Sequence, residues 1–133
     1  MDCPRCSGVE MNDVLLEQDA LVRICEECSS LWIDTADLTR MLVHHNLPSI
    51  DALGGRENLE EAAGTCPEDM TDLTVIESAQ NDGLAFAMCE LCGGLWLSRN
   101  AEGKEFLGKK PEEIVEELLA FFGAFAAPWR ARV

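Results

Sequence analysis

Two ten-residue stretches that repeat each other decide the fold of this chain: CEECSSLWID at residues 25–34 and CELCGGLWLS at residues 89–98. Each follows a shorter motif that begins with Cys-Pro, namely CPRC at residues 3–6 and CPED at residues 66–69. The shared order and nearly equal spacing, 18 residues in one copy and 19 in the other, indicate an internal duplication. Among the four cysteine positions of the repeat, the second copy departs from the first at one, where Asp69 replaces a cysteine.

A β-hairpin is predicted between the two motifs of each copy. In the first copy, two apolar runs within residues 14–24 flank a polar turn at Gln18 and Asp19. In the second copy, two apolar runs within residues 73–87 flank Asn81-Asp82-Gly83, and Asp-Gly is a strong hairpin signal. Each hairpin brings the two motifs of its copy together, so that four side chains meet at one point.

A helix is predicted after each tryptophan motif, with Asp34 and Ser98 as the N-caps. In the first copy, the positions at helical spacing are Leu38, Met41, Leu42 and His45. In the second copy, the helix is shorter and weaker, and its expected buried residues are Ala101, Phe106 and Leu107. A short acidic helix is also predicted between the copies, over residues 56–63.

A third amphipathic helix is predicted over residues 111–127, starting at Pro111 with glutamates in its first turn and stopped by Pro128. Its apolar stripe consists of Ile114, Leu118, Phe121, Phe122 and Phe125. Three roles for the stripe remain open. In the first, the stripe folds back on the rest of the chain; in the second, it forms a homodimer or docks a partner. Docking on a membrane is the least favoured, because the polar face of the helix carries Glu rather than Lys or Arg.

The cysteine spacing of the first copy predicts a zinc site. Two Cys-x-x-Cys pairs separated by a hairpin are a zinc pattern, and the ligands of this site are Cys3, Cys6, Cys25 and Cys28. Four thiolates close a tetrahedron and leave no position for water, so the ion is expected to be structural. A rubredoxin-like iron centre and thioredoxin-like redox use are the weaker alternatives.

The second copy has an imperfect ligand set: Cys66, Asp69, Cys89 and Cys92. Three interpretations are open. Asp69 ligates a second zinc through oxygen; or His44, His45 or a water takes the fourth position; or the site is empty and packed as a relic. A water in that position would make this the one place where metal chemistry could occur.

Composition restricts the class of partner. The chain has 25 acidic and 10 basic residues, a formal net charge of −15, which argues against direct binding of nucleic acid or of an anionic membrane surface. No apolar run approaches the length of a membrane span, and the N-terminus lacks the features of a signal peptide. The number of cysteines, seven, is odd, which does not suit a framework of paired disulfides. We therefore expect a cytoplasmic protein with reduced, metal-binding cysteines.

The motifs resemble the bacterial TFIIB-like zinc-ribbon family, the transcription factor zinc-finger, over about residues 1–45 and 65–108. The resemblance implies two tandem zinc ribbons. The predicted fold is thus a small, metal-stapled α+β protein, divided into residues 1–46, a linker at 47–65, residues 66–110 and the helix at 111–127.

Two functions follow as hypotheses. The first is a zinc-binding acidic scaffold that binds a protein partner, a basic one or a component of the transcription apparatus. The alternative is a metal-handling or metal-dependent enzyme that uses the imperfect second site. The chain has no nucleophile motif, phosphate loop or His-Glu-x-x-His motif, so we predict that it is not an enzyme.

Overall fold

The computed structural model describes residues 3, 6, 8–50, 55–58, 64–66, 68–78, 84–98, 106 and 110–130, with side chains of the last helix described through residue 125. The strands of this part of the chain are β1 (Met11–Leu15), β2 (Leu21–Cys25), β3 (Leu31–Asp34), β4 (Arg56–Asn58), β5 (Thr74–Glu77), β6 (Ala85–Met88) and β7 (Gly94–Leu97). Its helices are α1 (Thr35–His44) and α2 (Pro111–Arg130). The strands form one antiparallel sheet in the order β1-β2-β3-β7-β6-β5-β4.

Both predicted hairpins are confirmed. β1 pairs with β2 from Met11 opposite Cys25 to Leu15 opposite Leu21, and β5 pairs with β6 in the second copy. The first hairpin closes through a 3₁₀ turn at Glu17–Asp19. The predicted turn of the second hairpin, at residues 81–83, lies outside the described residues.

The two copies are joined edge to edge by β3 and β7, a pairing that the motifs did not predict. Trp32 lies opposite Trp96. The residue before each tryptophan pairs with the residue after the other, as about a two-fold axis: Leu31 pairs with Leu97, and Ile33 with Leu95. A further link is made by Thr35, whose backbone N–H donates to the Gly93 carbonyl at 2.8 Å. The duplicated halves therefore form one continuous sheet.

The two faces of this sheet bury two different cores, because successive side chains of a strand point to opposite faces. Leu31, Ile33, Leu95 and Leu97 belong to the larger core, together with the apolar residues of α1 and α2. The smaller core on the other face consists of Cys3, Met11, Cys25, Trp32, Cys66, Leu73, Ala87, Cys89 and Trp96. Residues of both cysteine clusters thus pack around one pair of tryptophans.

Helix α1 forms as predicted. The Asp34 side chain accepts a hydrogen bond from the Ala36 N–H at 2.8 Å, and Leu38, Met41 and Leu42 are fully buried. After the second tryptophan motif, Phe106 is fully buried, as predicted. The helix predicted to follow Ser98, with Ala101 and Leu107, falls on residues that the structure does not describe.

The apolar stripe of α2 is covered within the chain. All five stripe residues are at most 2% exposed, and the Phe86 ring of β6 lies 5.7 Å from the Phe122 ring and 5.3 Å from the Phe125 ring. The stripe therefore folds back on the sheet; the homodimer through residues 111–127 stays a prediction. In the described part of the chain, no helix has the length and apolar character needed to cross a membrane.

Two local predictions are wrong. Residues Arg56–Asn58 form strand β4 rather than the start of an acidic helix, because β5 offers them an antiparallel partner, with Arg56 opposite Glu77. Helix α2 continues through Pro128 to Arg130. Proline removes one N–H donor, but its fixed φ is close to the helical value, so the backbone keeps helical angles for the last residues.

Candidate metal centres

The first cluster brings together the four predicted cysteines. Their sulfur atoms all lie within 4.8 Å of one another, and the Cys3 and Cys28 sulfurs are 3.6 Å apart. Zinc bonded to four thiolates at about 2.3 Å places the sulfurs about 3.8 Å apart. The donor set and its spacing therefore fit a tetrahedral zinc ion with four thiolate ligands.

Backbone hydrogen bonds shape the turn that carries Cys25 and Cys28. The Cys25 N–H donates to the Ser30 carbonyl, and the Ser29 N–H donates back to the Cys25 carbonyl, each at 3.0 Å. The turn places Ser29 at a φ of 61° and its counterpart Gly93 at 77°, in the left-handed region that glycine adopts freely. The second copy repeats both hydrogen bonds at Cys89, each at 2.9 Å.

The same turn surrounds Asp69, although it lacks the second cysteine. The Cys66 N–H donates to the Thr71 carbonyl at 2.7 Å, and the Met70 N–H donates to the Cys66 carbonyl at 3.0 Å. These residues are five and four positions after Cys66, as in the turn that starts at Cys25. The backbone thus places Asp69 where a zinc ribbon has its second ligand.

The second cluster has its four donor atoms equally close, all within 4.8 Å of one another. The Cys66 and Cys92 sulfurs are 3.5 Å apart, and the Cys89 sulfur lies 3.2 Å from one Asp69 carboxylate oxygen. Three sulfurs and one oxygen are a donor set that zinc accepts. Asp69 thus lies where the sequence register predicted it, and direct ligation by Asp69 stays a prediction.

His44 and His45 are not members of the second cluster. Their ring nitrogens lie within 4.8 Å of a Glu17 carboxylate oxygen, in a separate group. The interpretation in which a histidine completes the second site is therefore wrong, because the end of α1 directs both rings to the first hairpin turn.

Thiol acidity differs within the first cluster. Burial raises the pKa of Cys6 to about 12. Burial also acts to raise the pKa of Cys28, but hydrogen bonds with Ser30, and then with Cys3 and Cys25, together outweigh it and lower this pKa to about 7. The Ser30 hydroxyl is 3.1 Å from the Cys28 sulfur. Because a thiol binds zinc only as the thiolate, loading of the cluster releases protons from the less acidic cysteines.

The second cluster has a different distribution of acidity. Burial raises the pKa of Cys66 to about 12 and also raises that of Cys92, although a hydrogen bond from the Gly94 backbone acts to lower the latter. The pKa of Asp69 is lowered to about 2, mainly by the Thr71 N–H, which donates to its carboxylate at 3.0 Å. Asp69 therefore carries a negative charge more readily than Cys66 or Cys92.

We expect the second site to hold zinc more weakly than the first, because a carboxylate is a harder donor than a thiolate for this borderline-soft ion. A graded chelator should empty the second site first, and Asp69→Cys should make the two sites equal. Asp69→Ala should weaken the second site by about tenfold or more. Zinc per chain against chelator concentration measures the effect in the natural chain and in both variants.

The matched control for Asp69 is Asp69→Asn, which keeps an oxygen to accept the Thr71 N–H but removes the anionic ligand. If Asp69 only shapes the turn, the asparagine variant will hold zinc as the natural chain does. If the first site empties before the second, the assignment of Asp69 as a ligand is overturned.

Comparison with known proteins supports the metal assignment. Residues 2–44 match the family model described as "Transcription factor zinc-finger", a TFIIB-type zinc ribbon. Neither the curated proteins nor the solved structures include a significant match to the chain. The family match and the two clusters together indicate that the chain binds zinc at one or two sites. Residues 2–44 thus match a zinc ribbon of the TFIIB type, and the cluster of Cys66, Asp69, Cys89 and Cys92 fits a second ribbon with an aspartate in place of one cysteine.

Proposed function

We propose that this zinc-binding protein is an acidic scaffold that docks a basic segment of a partner protein, in transcription or a process connected with it. The observation that carries the proposal is a cleft of about 260 Å³ to which both ribbons contribute. The zinc clusters act as staples that hold the walls of this cleft, since four protein ligands leave no position for a reacting water. The transcription link is supported only by the description of the family that residues 2–44 match.

The walls of the cleft carry three carboxylates and one guanidinium. Asp34 and Asp37 come from the first ribbon with Arg23, and Glu68 comes from the second. Arg23 is engaged by Asp13 of the neighbouring strand at 3.2 Å. Asp37 is engaged by Arg40 at 3.1 Å, so two of the three carboxylates set the charge of the cleft. The electrostatic preference of the cleft is therefore for a cation, in keeping with the net charge of −15.

The size and the floor of the cleft favour a single Lys or Arg side chain. Drug-sized ligands occupy cavities of about 300–1,000 Å³, so this cleft suits a smaller group. Trp32 belongs to the lining but is only 3% exposed. The accessible wall of the cleft is therefore mainly polar, and its carboxylates are suited to the charged head of a basic residue.

A binding experiment with defined peptides tests the proposal. The zinc-loaded full chain should bind an oligolysine peptide and should not bind its glutamine counterpart of equal length. Glu68→Gln should weaken binding by about two- to fivefold, as expected for loss of one exposed ion pair. Affinity is measured by fluorescence anisotropy at several salt concentrations, because screening should reduce it.

The control variant is Glu90→Gln, an identical change at an exposed position that does not line the cleft. Equal effects of the two variants would show that only overall charge matters and would overturn the cleft as the docking site. Salt-sensitive binding of a DNA or RNA oligonucleotide at submicromolar concentration would overturn the proposed class of partner.

A further inference from the structure

We propose that Glu17, His44 and His45 form a third metal site, which binds a divalent transition-metal ion at the surface of the first ribbon. One carboxylate oxygen and one ring nitrogen from each histidine lie within 4.8 Å of one another. The closest pair is the His45 Nε2 and the Glu17 Oε2, at 2.8 Å. Two imidazoles and a carboxylate are a donor set of a different class from the thiolate clusters.

The two histidines are held in place by the way α1 ends. The Leu47 N–H donates to the Leu42 carbonyl at 2.9 Å, and the Asn46 N–H donates to the Val43 carbonyl at 3.0 Å. Asn46 has a φ of 62°, so the helix ends in a Schellman motif. This motif fixes the backbone of His44, the last helical residue, and of His45, the C-cap.

The turn that carries Glu17 is attached to the same helix. The Ala20 N–H donates to the Glu17 carbonyl at 3.1 Å, which closes the turn. Arg40 of α1 donates to the Gln18 carbonyl from two nitrogens, at 3.0 and 2.9 Å. Gln18 and Asp19 both have a positive φ, which is uncommon outside glycine. The carboxylate and the imidazoles are therefore positioned by one interlocked unit of the fold.

The chemistry of the group favours a transition-metal ion over Mg²⁺ or Ca²⁺. Imidazole nitrogen suits Zn²⁺, Ni²⁺ and Cu²⁺, whereas the harder cations prefer sites made of oxygen alone. The site lies at a helix C-terminus, where the helix dipole favours positive charge, on a chain of net charge −15. The Glu17 and His45 side chains are each 35% exposed, so water can complete the coordination and the ion can exchange.

A hydrogen-bonded pair of Glu17 and His45 is the plain alternative. Such a pair would need only one of the two histidines. The His44 ring, however, lies against the His45 ring, edge to face, with the ring centroids 5.1 Å apart. A shared metal ion uses both rings, and this difference separates the two interpretations by experiment.

The test uses Ni²⁺ as the probe on the full chain already loaded with zinc. Equilibrium dialysis with elemental analysis should show one Ni²⁺ per chain with the zinc content unchanged. The chain has two histidines, so paramagnetic Ni²⁺ should broaden the NMR signals of every imidazole in the chain. His44→Ala and Glu17→Gln should each weaken Ni²⁺ binding by about tenfold or more.

The matched control is Asp19→Asn, which removes the same charge from the same exposed turn and tolerates the positive φ at that position. It should leave Ni²⁺ binding within about twofold of the natural chain, since screening keeps a single exposed charge weak. The proposal is overturned if Asp19→Asn and Glu17→Gln have equal effects, if His44→Ala binds Ni²⁺ normally, or if Ni²⁺ binds only by displacing zinc.

Discussion

Replacement of Cys25 by serine is expected to remove the first zinc ion and unfold the first ribbon. Cys25 is fully buried at the end of β2 and belongs to the core that contains Trp32. Structural zinc contributes on the order of 10–16 kcal/mol to the folding of small ribbon-like peptides. Whole domains are stable by only about 5–15 kcal/mol, so no other interaction in this ribbon can offset the loss.

Zinc content and tryptophan fluorescence measure the effect of Cys25→Ser. One zinc per chain should be lost, and fluorescence should show exposure of the buried indoles. The control is Glu27→Ser, an exposed position in the same turn whose backbone N–H lies 3.4 Å from the Cys25 sulfur and is kept in the variant. A Cys25→Ser chain that retains a full zinc complement and buried tryptophans would contradict the assignment of the first site.

Substitution of Gly94 by serine is expected to separate the two ribbons. A Cβ atom at Gly94 would clash with the indole ring of Trp32, which lies directly against this glycine. Overpacking in a core costs about 1–3 kcal/mol, and here the clash also falls on the strand pairing between β3 and β7. We expect a loss of about 3 kcal/mol in the free energy of unfolding, measured by urea denaturation.

Gly93→Ser is the control for this variant, because it makes the same change one residue earlier. In the part of the chain that the structure describes, nothing lies within 4 Å of a Cβ at Gly93, and the first ribbon already has serine at this position, with a φ of 61° at Ser29. The left-handed conformation alone should cost about 1 kcal/mol. Equal losses for the two variants would show that backbone strain, rather than contact with Trp32, determines the requirement for Gly94.

Features that depend on neighbouring residues in the sequence could be predicted. The first hairpin follows from two apolar runs around a polar turn, and α1 follows from the Asp34 cap and the spacing of its buried residues. The position of Asp69 was predictable for the same reason, since the Cys-Pro motif fixes the register of its turn regardless of which ligand it carries.

Features that depend on distant residues could not be predicted in this way. β3 and β7 read as short apolar runs because both of their faces are buried, so they lack the alternation of polar and apolar residues that marks a half-exposed strand. β4 consists of Arg56, Glu57 and Asn58, which have no strong preference for strands, and it forms because β5 accepts it.

The chemical details of the sites were equally beyond sequence reasoning. The low pKa of Cys28 depends on where the Ser30 hydroxyl points, and sequence spacing gives no side-chain direction. Glu17 lies 27 positions before His44, so only the packing of the first turn against the end of α1 brings them together. A signal was nevertheless present, in that the two histidines of the chain are adjacent.

The pairing of β3 with β7 has a consequence for how such a chain could arise. A ribbon on its own would present β3 as a bare edge, a row of unpaired backbone groups that invites association with any other strand. The same edge in a duplicated chain is covered by its own copy, Trp32 against Trp96. Gene duplication followed by fusion would thus have converted a strand edge that promotes association into a strand pairing inside the chain. One copy was then free to carry Asp69 in place of a cysteine.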